Sequence, residues 1–207
     1  MTKGNYGQGM GANTHDAPAA RGGVILIEAL GWPVLAMMTK QADEWFDVVN
    51  ERDEVVGRAT RREVHARGLL HRAVHVLVFD QAGRVFLQKR SMSKDMSPGL
   101  WDSSCSGHLD SGEDYDAAAT RELGEEIGVP GAKPTRWFRL EACEETAQEF
   151  CWVYRLRHEG PFVLHPEEIE RGEWLAPTEL AEKMAVRPGD YCSAFKLLWP
   201  MAVARLS

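Results

Sequence analysis

The sequence predicts a single α/β domain in which a mixed β-sheet packs against helices as a sandwich. Two observations lead to this prediction. Short runs rich in β-branched and aromatic residues, typical of strands, recur along the chain between a few segments of helical character. The chain has 207 residues, 44% of them hydrophobic and 27% charged, which suits one domain with a substantial core.

The strands predicted in the first half of the chain are β-branched, apolar segments bounded by turn residues. They lie at 45–50, 55–59, 73–80 and 85–90. Turns at 51–54 and 81–84 join these four strands into two hairpins. Between the hairpins, Thr60 is a good N-cap residue, because its hydroxyl can accept a backbone N–H, and it starts a short helix at 60–64.

The second half of the chain alternates strands with longer predicted helices. The first helix follows a loop at 110–112 and is rich in Ala, Leu and Glu. It ends at Gly128, a residue suited to the left-handed conformation just past a helix end. Further strands are predicted at 137–140, 150–156 and 168–176, and helices at 177–184 and 190–204.

Composition excludes several classes of protein. Residues 1–38 are interpreted as an N-terminal extension, mobile or partly packed or read from too early a start, and 39–207 as the domain. The apolar stretch at 24–38 is too short to cross a bilayer comfortably, so no membrane partner is predicted. The net charge of −7 argues against a nucleic-acid partner. The four cysteines lack CxxC or CxxH spacing, which indicates reduced thiols in a cytoplasmic protein.

The most informative segment is 107–129, GHLDSGEDYDAAATRELGEEIGV. On the predicted helix, Glu122, Glu125 and Glu126 are three and four residues apart, so their carboxylates share one face. Carboxylates crowded in this way repel each other, and a hard divalent cation with oxygen ligands offsets the repulsion. The residues alone leave two interpretations open: a metal site, or a solvated acidic face that pairs with Arg121 and other cations.

This segment resembles the Nudix box at every fixed position of that motif. Those positions are Gly107, Glu113, Arg121, Glu122, Leu123, Glu125, Glu126, Gly128 and Val129. The resemblance implies a Nudix-type α/β/α sandwich and a hydrolase that cleaves a diphosphate linkage, NDP–X, by attack of water at phosphorus. It implies Mg²⁺, with Mn²⁺ as the alternative, bound by the three glutamates and the Gly107 carbonyl. The expected partner is a small diphosphate, and a homodimer is a reasonable assembly.

The same resemblance assigns roles to nearby side chains. Arg121 is expected to act in catalysis by orienting the helix carboxylates, through a pair with Glu113 or Glu122. A general base must reach the attacking water. The candidate bases are Glu125, Glu126 and Glu149, followed by the weaker alternatives Glu167 and Glu168.

Three further residues are candidates for substrate binding. Lys89 and Arg90 end a predicted strand close to the loop that precedes the box. They are expected either to hold substrate phosphates or to form surface ion pairs. His108, one residue inside the box, is expected to line the substrate site.

A wider resemblance, over most of 45–160, connects the chain to type 1 isopentenyl-diphosphate isomerase, which moves a double bond. Two positions oppose that activity. Ser106 occupies the position of the isomerase cysteine, and Ala147 replaces the first acid of an acidic pair whose second member is Glu149. Cys105 is one residue away and is expected to point to the opposite face of its strand.

The isomerase resemblance also extends to histidines. His71 and His108 match isomerase metal ligands, whereas His65 matches only roughly. Without a third matching ligand, the sequence does not predict a tight histidine metal site. A diphosphate hydrolase is therefore the predicted function, with the isomerase and a non-catalytic nucleotide sensor as alternatives, and the substrate is left open.

Overall fold

The computed structural model describes residue 1 and residues 44–206 of the chain. The expectations for the N-terminal extension therefore fall outside the described residues. Within the part that is described, the chain forms nine strands and four α-helices. No helix in that part is both long enough and apolar enough to cross a membrane.

The first hairpin and the first helix form as the sequence predicts. Strands β1 (Trp45–Val49) and β2 (Val55–Thr60) pair antiparallel, and α1 (Arg61–Arg67) follows directly. Thr60 and Glu63 form a capping box, in which each side chain accepts the backbone N–H of the other residue.

The other seven strands form one mixed sheet. They are β3 (His71–Phe79), β4 (Val85–Arg90), β5 (Trp101–Asp102), β6 (Cys105–His108), β7 (Thr135–Leu140), β8 (Glu149–Arg157) and β9 (Ile169–Leu175). The main path runs β5-β4-β3-β8-β7, with β6 paired to β3 and β9 to β4. Strands β3 and β8 are parallel and the other pairs are antiparallel, which confirms the predicted mixed sheet.

Helices cover both faces of this sheet. Helix α2 (Tyr115–Ile127) packs on one face, where Leu123 is fully buried. Helices α3 (Pro177–Val186) and α4 (Ser193–Val203) pack on the other face, with Phe195 fully buried. Alternate side chains of β3 contribute to the two cores, because successive residues of a strand point to opposite faces. The predicted α/β/α sandwich is confirmed.

Strand β6 brings the box loop to the middle of the molecule. It pairs antiparallel with β3, and its side chains alternate between the two faces of the sheet. Cys105 lies in the core shared with α2, and a Cβ on Gly107 would also meet α2. Ser106 and His108 therefore face the opposite side. The expectation that Cys105 points away from the side of Ser106 is confirmed.

Candidate active site

The described part of the chain contains a cavity of about 920 Å³ at one end of the sheet. Its volume is in the range of small-molecule sites. Parts of α2, β3, β4 and β6 border it, together with loops at 93–97, 144–147 and 165–168. Candidate ligands from distant parts of the sequence therefore meet in one place.

The three helix glutamates all border this cavity. Glu126 is the most buried, with 4% of its surface exposed. Its carboxylate accepts the Ser106 backbone N–H at 3.0 Å and the Gln88 side-chain amide at 3.2 Å. Glu122 is also largely buried, whereas the side chain of Glu125 is about half exposed at the rim. The shared helix face that the sequence predicts is present.

Gly107 allows the carboxylate of Glu122 to lie directly against β6. A Cβ at position 107 would lie 2.1 Å from Glu122 Oε1 and 2.2 Å from its Cδ, well inside van der Waals contact. Any side chain there would displace the carboxylate. The need for glycine is thus explained by close approach, while a metal contact of its carbonyl stays a prediction.

Burial and repulsion by neighbouring carboxylates raise the pKa values of Glu122 and Glu126. Burial, followed by the charge of Glu126, raises the pKa of Glu122 to about 8. Burial, followed by the charge of Glu168, raises the pKa of Glu126 to about 7. A divalent cation would offset both shifts, because its positive charge stabilises the ionised carboxylates that burial and repulsion disfavour. The donor set therefore fits a hard divalent metal ion.

Arg121 holds the box together by hydrogen bonds to protein groups. Its guanidinium donates two bonds to Glu113, at 3.0 and 2.8 Å, and one to Glu122 at 2.7 Å. It also donates to Glu125 at 3.1 Å and to the carbonyl oxygen of His108 at 3.0 Å. The guanidinium fork suits such multiple pairing. This geometry suits Arg121 to position the helix carboxylates, and it pairs with both predicted partners, Glu113 and Glu122.

Of the two predicted phosphate ligands, Arg90 borders the cavity and Lys89 does not. Lys89 Nζ lies 3.2 Å from Glu170 Oε2 in a partly exposed ion pair. Arg90 Nη1 lies 3.6 Å from Asp102 Oδ2, on the cavity side. The placement favours phosphate binding by Arg90 and the alternative of a surface ion pair for Lys89, and phosphate binding by either residue stays a prediction.

Two cationic side chains border the cavity although no sequence motif marks them as site residues. Arg61, at the start of α1, is 7% exposed and donates to Asp95 at 3.1 and 3.0 Å and to Glu44 at 3.2 Å. The side chain of Lys94 is largely buried and forms an ion pair with Glu168, and both residues border the cavity. Both residues reach the cavity only through tertiary contacts between segments that are far apart in the chain.

A second group of potential ligands, here called the histidine cluster, consists of His65, His71 and His108. One ring nitrogen from each lies within 4.8 Å of the others. The carboxylate of Glu149 adjoins the cluster, with Oε1 at 3.0 Å from His108 Nε2 and 3.5 Å from His71 Nε2. The structure therefore brings His65 to the two histidines that match isomerase ligands, which the sequence did not predict.

The sheet explains how this cluster forms. His71 begins β3, and the parallel partner β8 places Glu149 directly beside it. On the other side of β3, β6 pairs His108 with Ala73, which lies on the same face as His71. His65 comes from α1, which turns back to β3 at Gly68, a left-handed residue (φ 60°).

Burial disfavours the charged form of two histidines in the cluster. It lowers the pKa of His108 to about 3 and also lowers the pKa of His65. Burial acts to raise the pKa of Glu149, but the neighbouring His108 and His71 outweigh it and hold this pKa well below its usual range. The neutral imidazoles of His65 and His108 are thus favoured beside the ionised carboxylate of Glu149.

The α/β/α sandwich places a glutamate-rich helix beside a cavity of small-molecule size, an arrangement suited to a metal-assisted enzyme. The family profile described as NUDIX domain matches residues 69–194, more than half of the chain. The chain belongs to the Nudix hydrolase family, whose members act on pyrophosphate bonds and generally use divalent metal ions.

Three similar proteins illustrate the relationship. An uncharacterized Nudix hydrolase of Yersinia pestis is 34% identical over 154 residues, covering 74% of this chain and 85% of that protein. The uncharacterized Nudix hydrolase YfcD of Escherichia coli K12 is 31% identical over 140 residues, covering 68% and 78%. The crystal structure of DR0079 from Deinococcus radiodurans is 34% identical, covers 69% of this chain and 90% of that one, and has a TM-score of 0.63.

Proposed function

We propose that this chain is a metal-dependent hydrolase that cleaves the diphosphate linkage of a nucleoside diphosphate derivative, or of a similar small diphosphate. The observation that carries the proposal is the buried pair Glu122 and Glu126, which lies against Gly107 at the cavity. Mg²⁺ is the proposed ion and Mn²⁺ the alternative, because both prefer oxygen ligands.

The metal, when bound, would neutralise developing charge on phosphate oxygens and lower the pKa of a water molecule. Glu122, Glu125 and Glu126 would hold it together with the carbonyl of Gly107. Arg121 keeps Glu122 and Glu125 in place through its bonds to them and to Glu113. These residues come from a rigid helix and an adjacent strand, which suits the precise placement that catalysis needs.

Substrate phosphates would meet positive charge from Arg90 and Lys94, which border the same cavity. Lys94 would exchange its pair with Glu168 for a phosphate oxygen. His108 also borders the cavity and would contact the substrate from the side of β6. In this proposal the diphosphate would lie between the glutamates and the cations.

The general base is assigned to a carboxylate at the cavity. Glu125 and Glu126 are candidates on the helix, and Glu149 and Glu168 are candidates outside it. Glu168 is close enough to Glu126 for its charge to raise the pKa of Glu126. A water molecule bound near the helix glutamates would therefore lie within the influence of Glu168.

The test is a screen for release of phosphate and pyrophosphate with Mg²⁺. It covers nucleoside di- and triphosphates, nucleotide sugars, dinucleotides and isopentenyl diphosphate. We expect release that depends on metal and is lost in Glu126→Gln. The matched control is Glu170→Gln, since Glu170 is a glutamate outside the cavity, paired with Lys89. Release that persists in Glu126→Gln would contradict the proposal.

The isomerase remains the second candidate, because the histidine cluster with Glu149 is a feature that the isomerase resemblance implies. Ser106 and Ala147 oppose it, and Cys105 is buried against α2 on the other face of β6. Formation of an allylic diphosphate from isopentenyl diphosphate, without phosphate release, would favour the isomerase. Nucleotide binding with neither product would favour a sensor.

A cytoplasmic homodimer is proposed for location and assembly. The four cysteines are free thiols, which suits a reducing compartment. The dimer rests on the family resemblance, and sedimentation of the purified chain would test it.

A further inference from the structure

A polar pocket opens from the cavity on the side of the sheet opposite α2. It is here called the Asp102 pocket and is lined by His75, Asp102, Ser106 and Cys192, all of which border the cavity. His75 and Ser106 are direct neighbours on β3 and β6, and Asp102 ends β5. His75 and Asp102 are each 4% exposed, and neither has a role in the proposed hydrolysis.

The hydrogen bonds of Ser103 determine which nitrogen of His75 carries the proton. Ser103 Oγ donates to the carbonyl oxygen of Cys105 at 3.1 Å, and a carbonyl oxygen can only accept. A hydroxyl has one proton, so Ser103 Oγ accepts from His75 Nδ1, which lies 2.9 Å away. In the neutral ring Nε2 is then an acceptor, and no hydrogen bond among the described residues reaches it. Ser103 is fully buried and lies off the cavity, so Nε2 is the nitrogen available to a ligand.

Asp102 gives the pocket a second acceptor. Its Oδ1 accepts the Ser103 backbone N–H at 2.7 Å. Its Oδ2 has longer contacts, with Ser106 Oγ at 3.4 Å and Arg90 Nη1 at 3.6 Å. A ligand hydroxyl at about 2.7–2.8 Å, the usual distance for an O–H···O bond, would bind Oδ2 better than either neighbour does.

The two protein groups nearest to Asp102 on the cavity side compete weakly for its oxygen. Arg90 donates its Nε to the carbonyl oxygen of Met96 at 3.2 Å, and its remaining N–H groups are proposed to meet phosphate. Burial, followed by the charge of Asp102, raises the pKa of the Cys192 thiol. The thiol therefore stays neutral, and a neutral thiol is a weak donor.

Two buried acceptors in one pocket define the chemistry of the group that fits there. Sugar hydroxyls donate hydrogen bonds and occur on neighbouring carbons, so one sugar can supply donors to both His75 Nε2 and Asp102 Oδ2. A hydrocarbon group would leave both acceptors without a donor, which costs free energy in a buried place. An anionic group would be repelled by the carboxylate of Asp102.

Ser106 connects this pocket to the glutamates of α2. Its hydroxyl belongs to the pocket, whereas its backbone N–H donates to Glu126 Oε2 at 3.0 Å. A diphosphate held near Glu126 would therefore reach the pocket with the group attached directly to phosphate. In nucleotides and nucleotide sugars that group is a sugar, and the nucleobase lies further away.

We propose that the Asp102 pocket binds the hydroxyl groups of a sugar attached to the diphosphate, through His75 Nε2 and Asp102 Oδ2. The inference rests on the proposed hydrolase function and narrows its substrates to nucleotides and nucleotide sugars. It argues against isoprenoid diphosphates, in which the group attached to phosphate is a hydrocarbon.

The experiment compares pairs of ligands with and without sugar hydroxyls. ADP and 2′,3′-dideoxy-ADP test the ribose of the nucleoside. UDP-glucose and the cyclohexyl ester of UDP test a sugar on the other side of the diphosphate. The specificity constant, kcat/KM, is measured with Mg²⁺ on the full chain. We expect a preference of about 100-fold or more for the hydroxylated member of one pair, because a site built to hydrogen-bond a hydroxyl rejects analogues that lack it.

Two substitutions test the residues themselves. In Asp102→Asn the Ser103 backbone N–H holds the amide oxygen, so an NH₂ donor takes the place of Oδ2. His75→Phe keeps an aromatic ring and removes the acceptor. Each should reduce the preference about tenfold or more. Asp80→Asn is the matched control, because Asp80 is a buried aspartate (3% exposed) that does not border the cavity.

The comparison of ligands on the unmodified chain needs no substitution, so it remains valid if circular dichroism shows that a variant is unfolded. Isothermal titration calorimetry with the same ligands separates this inference from the proposed hydrolysis. The expected preference in Kd, without any phosphate release, would support the sugar pocket and contradict the hydrolase.

Three results would overturn the sugar pocket. The first is phosphate release with equal kcat/KM within both pairs, which would leave the hydrolase in place. The second is tighter binding of isopentenyl diphosphate than of ADP and UDP-glucose, or binding of none of these ligands. The third is a preference that is unchanged in folded Asp102→Asn and His75→Phe.

Discussion

The glutamates of α2 and the histidine cluster lie on opposite faces of the sheet at β6. The two groups are assembled in different ways. The glutamates belong to one helix turn, so the chain's local geometry alone brings them together. The histidines come from α1, β3 and β6, and they meet only because the strands pair in one register. A site made by one helix is readable in the sequence, whereas a site made by strand pairing becomes visible only in the fold.

The largest effect should come from the glutamates. Glu125→Gln or Glu126→Gln is expected to lower kcat by roughly two orders of magnitude or more, because each removes a charge from the proposed metal and base site. Circular dichroism should remain unchanged. Steady-state kinetics at saturating Mg²⁺ measures the loss, with Glu170→Gln as the control. Near-normal turnover in both variants would show that Glu125 and Glu126 take no part in catalysis. The contrast between the glutamates and the histidine cluster would then have no functional meaning.

A second test adds a single methyl group between β6 and α2. Gly107→Ala should displace the carboxylate of Glu122, since a Cβ there would lie 2.1 Å from Oε1. We expect Mg²⁺-dependent activity to fall about 10–100-fold, the range seen when groups supporting a metal site are disturbed. Gly57→Ala is the control, because a Cβ at that position meets nothing within 4 Å. Equal activity in the two variants would show that the close approach is unimportant.

A third test concerns the support of the glutamates. Arg121→Lys keeps the charge but loses the fork that pairs with Glu113, Glu122 and Glu125 together. We expect about a tenfold loss of kcat/KM and a higher Mg²⁺ requirement, by analogy with other supporting residues. Arg136→Lys, in an exposed pair with Asp116, serves as the control. A change confined to thermal stability would make Arg121 purely structural.

The smallest effect should come from the cation that lies off the cavity. Lys89→Ala removes a partly exposed ion pair with Glu170, and such pairs contribute about 0–1 kcal/mol to the free energy of unfolding. Its KM should stay within about twofold of the unmodified value, whereas Arg90→Ala should raise KM several-fold. Substrate titrations on both variants measure this contrast. A larger rise in KM for Lys89→Ala would restore Lys89 as a phosphate ligand.

The elements with strong local signals were predictable from the sequence. Thr60 caps a helix, Gly128 ends one, and the strands around Ala73 and Phe150 lie where the β-branched and apolar residues indicate. The face of the sheet to which Cys105 points was predictable because successive side chains of a strand point to opposite faces. In each case the information lies within a few residues of the feature.

What could not be predicted depends on contacts between distant segments. His65 joins the cluster through the path of the chain from α1 into β3, and Arg61 reaches the cavity through Asp95, which is far away in sequence. Lys89 and Arg90 were indistinguishable as neighbours in a basic pair. Only the folded sheet distinguishes them, because it brings Arg90 to the cavity and leaves Lys89 in a surface ion pair.

Strand β3 has partners on both sides, β4 and β6 on one and β8 on the other, and its residues from Ala73 to Phe79 are all buried. Its amides should therefore exchange with deuterium only when the whole domain unfolds. Helix α1 and the β1–β2 hairpin pair outside this sheet and should open at lower free energy. In hydrogen exchange, His71 would then belong to the slowest unit and His65 to a faster one, so two histidines that lie side by side would report on unfolding units of different stability.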